Sequence, residues 1–327
     1  MSKRERVLAA IARRDVDRPP IAFWRHVPDV DHTAQGLADA MLAFHRRWDL
    51  DLIKVMSSGV YCVEDWGCKV AYQGHPGGAK RCTEHAVKTA ADWARIWPLD
   101  PGAGALGREL EAVRLIRKGR ADDAPILHTL FSPLTIAMKL SGAGAVRDVT
   151  AAPQALRAAL DTITETTARY AAAALEAGAD GLFFATQAAN AEAVSEAVSA
   201  TWDVPYARRV LERVRGASAL TLLHLHGTTV YWDAWTALPV HAVNWHDRLT
   251  APTLAEATRR FAGGLVAGLG ESTTLRRGPA AAVAAEAGDA VAQTRGAVVV
   301  APGCVLPLDV PDAHLAAAVA AVRGLAR

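Results

Sequence analysis

Two histidines and a late cysteine are the residues of this chain best suited to chemistry. His224 and His226 stand at i and i+2 in LLHLHG. In a β-strand that spacing puts both side chains on one face, with Leu223 and Leu225 on the other. Cys304 sits in the turn-like segment APGCVLP. Two imidazoles and a thiolate form an N₂S donor set that suits zinc, with a further position open to water or a substrate thiol. The same three residues also read as hydrogen-bonded core histidines and a small buried cysteine. Spacing alone leaves both readings open.

Other polar residues fall where strands end. Arg25 and His26 in FWRH read as a clamp for a substrate anion or as a surface ion pair. His128 in ILHTLFSP is expected to face inward, as a ligand, an acid/base or a satisfied core histidine. Glu271 reads as a general base, a fourth ligand or a solvated loop residue. Ser57 and Ser58, Thr186 and Gln187, and Asn244 and His246 add polar groups at further strand ends. Cys62 and Cys68 in YCVEDWGC form no CxxC, so no structural zinc is expected there.

Eight short apolar runs must carry these residues: 20–24, 51–56, 125–130, 180–184, 219–225, 241–245, 264–268 and 297–301. Helical periodicity marks 3–14, 36–48, 107–118, 153–177, 205–214, 253–262, 280–293 and 312–325. Pro153, Pro252 and Pro311 stand near helix starts, where a missing N–H is harmless. Strands alternating with helices imply a parallel sheet, and the count fits a single-domain (β/α)₈ barrel spanning 1–327. A doubly wound open sheet is the alternative. Residues 57–124 form the longest insertion, expected as a lid or barrel extension. No GxGxxG follows the first strand and no GxxxxGK[ST] occurs, so nucleotide-binding signatures are missing. In a barrel, function gathers at the C-terminal ends of the strands, where the polar residues above fall.

Composition narrows the partners. Of 327 residues, 51% are hydrophobic and 21% charged, which excludes a disordered chain. Thirty-six Lys+Arg against 34 Asp+Glu leave a net charge of +2, too small to drive binding to nucleic acid or a membrane surface. No apolar run reaches the roughly 18 residues that span a bilayer, since Glu286, Asp289 and Arg295 interrupt the Ala-rich stretch 280–300. The opening MSKRERVLAAIARR reads as an amphipathic helix, not a signal peptide. Four cysteines are too few for a disulfide scaffold, so a cytoplasmic location is expected. A homodimer is the commonest closed assembly and the default expectation.

Several segments together resemble the uroporphyrinogen decarboxylase family. They run from RERVLAAIARRDVDRPPIAFWRH through WDLDLIKV, LFSPLTIAMKLSG, YAAAALEAGADGLFF and VAGLGESTTL to APGCVLPLDVPDAHLAAAVAAVRG, in order along nearly the whole chain. The resemblance implies a (β/α)₈ barrel. It also implies either tetrapyrrole decarboxylation or the chemistry of the family's zinc-dependent methyltransferases, which act on corrinoid proteins and thiols such as coenzyme M. The decarboxylase pattern is incomplete. Its first substrate-binding arginine falls on Arg25, but the second falls on Asp29. Its essential aspartate falls on Ser58, its tyrosine on Lys139 and its late histidine on Gly303. An uncharged serine cannot stabilise the cationic intermediate that the aspartate would. The methyltransferase pattern, HxC followed by a late Cys, falls on His224, His226 and Cys304, with His in place of the first Cys.

The resemblance therefore implies a zinc-dependent, methyltransferase-like enzyme with His224, His226 and Cys304 as ligands. Its substrate would be a small anion or thiol held by Arg25, His26, Ser58 and Asn244, with Glu271 or His128 as acid/base or fourth ligand. A corrinoid protein would be a partner. A uroporphyrinogen decarboxylase with a rebuilt site and a non-catalytic tetrapyrrole or corrinoid binder are the alternatives.

Overall fold

Apolar runs bounded by Gly, Pro and polar residues become one parallel sheet, and the amphipathic stretches between them become its covering helices. The computed structural model describes residues 1–326. In chain order the strands are β1 (Ile53–Val55), β2 (Lys69–Tyr72), β3 (Lys80–Glu84), β4 (Ile126–Phe131) and β5 (Gly181–Thr186). They continue with β6 (Leu220–Leu225), β7 (Ala242–Trp245), β8 (Gly264–Leu269) and β9 (Val298–Pro302). β1 and β4 to β9 pair in parallel in the order β1-β4-β5-β6-β7-β8-β9. All seven are buried along their whole length. Burial on both faces explains their near-continuous Val, Leu, Ile and Phe.

The eighth stave, expected as a strand over 20–24, makes a single bridge between Ile21 and Val300. Pro19 and Pro20 remove two ladder donors at its start. Pro20 O still accepts from Val300 N at 2.8 Å, and Ala22 N donates to Val300 O at 3.0 Å. On the other side, Asp51 takes the place of a ladder partner. Its N–H donates to Ile21 O and its carboxylate accepts from Ile21 N, both at 2.9 Å. Arg6 and Arg18 bind the same buried carboxylate at 2.8 and 2.7 Å. The segment thus joins β9 to β1 and closes the barrel, with one irregular stave.

Helices cover the outside. Pro153 opens the helix Pro153–Glu176, which buries Leu156, Leu160, Ile163 and Ala171 along one face. Between β1 and β4 the chain adds the short helix Tyr61–Glu64, the antiparallel hairpin β2–β3 and a 3₁₀ turn, Ala90–Arg95, before the barrel helix Gly104–Gly119. The hairpin lies over the barrel mouth, where Lys80, Arg81 and Cys82 line a cavity. No helix among the described residues is long and apolar enough to cross a membrane.

Candidate metal centre at the barrel mouth

A cavity of about 780 Å³ opens at the C-terminal ends of the strands. His224, His226, His246 and Cys304 line it together. One donor atom from each lies within 4.8 Å of the others. Cys304 Sγ is 3.7 Å from His224 Nε2 and 3.7 Å from His226 Nδ1. Strand register builds the group. β6 and β7 pair His224 with Asn244, so two residues further on His226 and His246 share the same face, with rings 5.3 Å apart. Gly303 brings the end of β9 against β7: a Cβ there would lie 2.8 Å from Trp245 O and from His246 Cα. Only glycine permits that approach, and it places Cys304 beside the three imidazoles.

Two neighbours orient two of the three imidazoles. Asn244 Nδ2 donates to Val266 O (2.6 Å) and Pro302 O (3.0 Å), so its Oδ1 is the acceptor that faces His224 Nδ1 at 2.6 Å. His224 therefore carries its proton on Nδ1 and turns the Nε2 lone pair toward Cys304. Glu271 Oε1 accepts from His246 Nδ1 at 2.7 Å and so orients that ring. Burial pushes the Cys304 thiol up, but the imidazoles of His224, His226 and His246 outweigh it and hold the thiol well below its usual range. Burial pulls His246 down, but Cys304 and Glu271 together raise it to about 10, so it is an imidazolium paired with the thiolate and a metal ion would have to displace its proton. The thiolate that results is the form that ligates metals. Tetrahedral zinc bonded at about 2.0–2.3 Å holds its ligand atoms roughly 3.3–3.8 Å apart. The two sulfur–nitrogen distances of 3.7 Å fall in that range, and the three imidazoles and thiolate are a set that could hold a metal ion.

Two lysines share the cavity, Lys54 buried and Lys139 half-buried. Lys54 Nζ lies 4.2 Å from the Phe183 ring centre, 5.8 Å from that of Trp24 and 2.7 Å from Met56 Sδ. Burial lowers its ammonium to about 7. Lys139 Nζ donates to Gln187 Oε1 at 2.8 Å and lies 4.5 Å from the Phe131 ring centre. Among the described residues neither lysine has a carboxylate partner. Amines in an apolar-walled cavity without a carboxylate partner, one of them lowered to about 7, hold their charge best when an anionic ligand binds beside them.

The remaining sequence candidates divide by the pleat. His26 lines the cavity beside Trp24, and burial, reinforced by Lys54, holds it near 3, so it is neutral. Arg25, one residue away, points to the opposite side and lies over the Phe44 ring, 5.2 Å from its centre. Adjacent residues of an extended segment cannot form one clamp. His128, expected to face inward, faces the helical layer instead. Its Nε2 lies 2.8 Å from the Tyr170 hydroxyl, whereas Thr129 lines the cavity. Ser58 is buried and its Oγ accepts from Val60 N at 3.4 Å, while Ser57 and Gly59 face the cavity. Asn244 spends its amide on protein partners. Glu271 lines the cavity but meets the cluster through His246. Sequence reading did not weigh His246 as a ligand, nor Lys54 as a site residue. The NxH of β7, alongside the HxH of β6, and a lysine inside the apolar run DLIKVM were their signals.

The sequence profile of uroporphyrinogen decarboxylase (URO-D) matches residues 2–325. The methylcobamide:CoM methyltransferase MtbA of Methanosarcina mazei is 22% identical over 242 residues, covering 69% of this chain and 70% of that protein. A uroporphyrinogen decarboxylase of Xanthomonas axonopodis pv. citri is 28% identical over 332 residues, covering 90% of each. Among solved structures, a methyltransferase from Methanosarcina mazei superimposes with a TM-score of 0.83 at 22% identity, over 99% of each chain. A B12-independent methionine synthase from Shewanella sp. W3-18-1 gives 0.59 at 12% identity, over 94% of this chain and 92% of its own. At these identities the structural likeness is one of fold.

Proposed function

The chain belongs to the uroporphyrinogen decarboxylase family, and on that premise we propose that it is a zinc-dependent methyltransferase acting on a small anionic thiol. The convergence of His224, His226, His246 and Cys304 within 4.8 Å, at the mouth of the barrel, carries this reading. Zinc held by these four side chains would supply a Lewis acid that, on exchanging one imidazole for a substrate thiol, lets that thiol exist as thiolate at neutral pH. Asn244 holds His224 in the ligating tautomer, and Glu271 orients His246. Lys54 and Lys139 hold the substrate's acidic group and so aim its sulfur at the cluster. The apolar wall of Trp24, Phe131 and Phe183 limits water around that ion pair.

The methyl donor in this reading is a methylated corrinoid, as the name of the Methanosarcina mazei relative suggests. The new sulfur–carbon bond forms as the cobalt–carbon bond breaks, and its electron pair stays on cobalt. The test is to mix zinc-loaded protein with methylcobalamin and 2-mercaptoethanesulfonate and to follow the corrinoid's visible spectrum. Demethylation that requires Cys304 supports the proposal. A zinc-loaded protein that leaves methylcobalamin intact with a panel of anionic thiols overturns it.

The 28% identity to a uroporphyrinogen decarboxylase over 90% of the chain favours a second reading, tetrapyrrole decarboxylation. Ser58 opposes it, since a buried hydroxyl bonded to Val60 N carries no charge to stabilise a cationic intermediate. Conversion of uroporphyrinogen to coproporphyrinogen by the purified protein would establish this reading in place of the first.

A further inference from the structure

A second group of soft ligands lies where the hairpin β2–β3 meets the C-terminal end of the helix Pro133–Ser141. Cys68 precedes β2, Cys82 lies in β3 opposite Val70, and His85 follows β3. One donor atom from each falls within 4.8 Å of the others. All three face one backbone oxygen. Lys139 O is 3.0 Å from His85 Nδ1, 3.3 Å from Cys82 Sγ and 3.9 Å from Cys68 Sγ. Leu140 O lies 4.0 Å from Cys68 Sγ. These carbonyls belong to the last helical turn, where C=O groups lack intrahelical partners and the helix dipole is negative. Such an end favours a cation and opposes an unpartnered thiolate. Gly142, at φ +60°, leaves room for the third ligand: a Cβ there would lie 3.1 Å from His85 Nε2.

None of these residues takes part in the proposed methyl transfer. Sequence spacing does not reveal the group, because Cys82 and His85 reach Cys68 across a hairpin. We propose that Cys68, Cys82 and His85 form a second metal site for a zinc-class divalent cation. Water completes the shell from the cavity that Cys82 and His85 line. Binding releases the proton of each thiol. The ion ties the hairpin to the helix that carries Lys139, and so fixes one of the two ammonium groups in the cavity. The S₂N set suits zinc, and cobalt(II) reports on it through thiolate-to-metal charge-transfer absorption.

The experiment titrates metal-free, reduced, full-length protein with cobalt(II). Wild type takes up two equivalents with charge-transfer absorption. Cys304→Ala keeps one, Cys82→Ser keeps the other, and the double variant binds none. His85→Gln repeats the Cys82→Ser result, which guards against a folding defect in the serine variant. Absence of thiolate-bound cobalt in Cys304→Ala overturns the second site. So does a Cys82→Ser titration identical to wild type. A Cys68–Cys82 disulfide in air-purified protein, with no cobalt uptake by Cys304→Ala after reduction, also overturns it. Failure at the first site shows instead as loss of the equivalent that depends on Cys304.

Discussion

Asn244 Oδ1 sits 2.6 Å from His224 Nδ1, and the rest of the Asn244 amide is taken up by two backbone carbonyls. One asparagine thereby decides which imidazole nitrogen meets the cluster. Asn244→Ala frees the His224 ring and strands Val266 O and Pro302 O. Removing such an orienting partner costs about 10–100-fold in metal affinity. Zinc competition against a chelating dye checks this, and an unchanged affinity would contradict the role.

Lys54 trades stability for binding. Its ammonium is fully buried against Phe183, Trp24 and Met56 with no carboxylate. Lys54→Met has similar volume and no charge, so the variant should melt higher than wild type. The same change should raise KM for an anionic thiol about 10–100-fold, the equivalent of one charged hydrogen bond of ~1.5–3 kcal/mol. Zinc content should not change. A melting point below wild type, or an unchanged KM, would count against an anion-binding Lys54.

Asp203 gives the fold a pH dependence that can be isolated. Its carboxylate accepts from Leu134 N at 3.0 Å, Ser132 Oγ at 2.6 Å and Thr186 Oγ1 at 3.3 Å. Burial nevertheless pushes it up to about 7 from the ordinary 3.8. Between those values the folded chain holds a proton that the unfolded chain has lost. This contribution to stability is therefore full below about pH 4, declines as pH rises to 7 and is flat above. Asp203→Asn removes the titration. Relative to wild type, the variant should gain ~1–4 kcal/mol between pH 4 and 7. Denaturant midpoints measured across that range check it, and a constant offset between the two proteins would contradict it.

Asp51 is the staple of the irregular stave. Asp51→Ala leaves Arg6 and Arg18 without their buried partner and removes the bond to Ile21 N. Breaking such a buried pair costs about 3–5 kcal/mol. The loss should appear as a lower denaturant midpoint with metal binding by the folded fraction intact. A midpoint equal to wild type would show that the stave closes without it.

The alternation of apolar runs and amphipathic helices made the barrel legible, because strands buried on both faces and helices buried on one leave different patterns. The HxH of β6 was legible for the same reason: period two fixes a shared face. Its phase was not fixed elsewhere. In ILHTLF both faces are apolar, so nothing in the sequence tells which side His128 takes, and it takes the side of Tyr170. Arg25 and His26 are adjacent, and in an extended chain adjacency sets two side chains on opposite faces. His246 joins the cluster through cross-strand register, and Cys82 and His85 join Cys68 through a hairpin. Those relations exist only once strands are paired.

In the proposed function His224, His226, His246 and Cys304 hold one zinc ion. Elemental analysis of purified wild type beside His224→Ala tests it most directly. The variant, folded by circular dichroism, should carry one zinc per chain fewer than wild type. Equal zinc in the two proteins, or none in wild type after reconstitution, would contradict it.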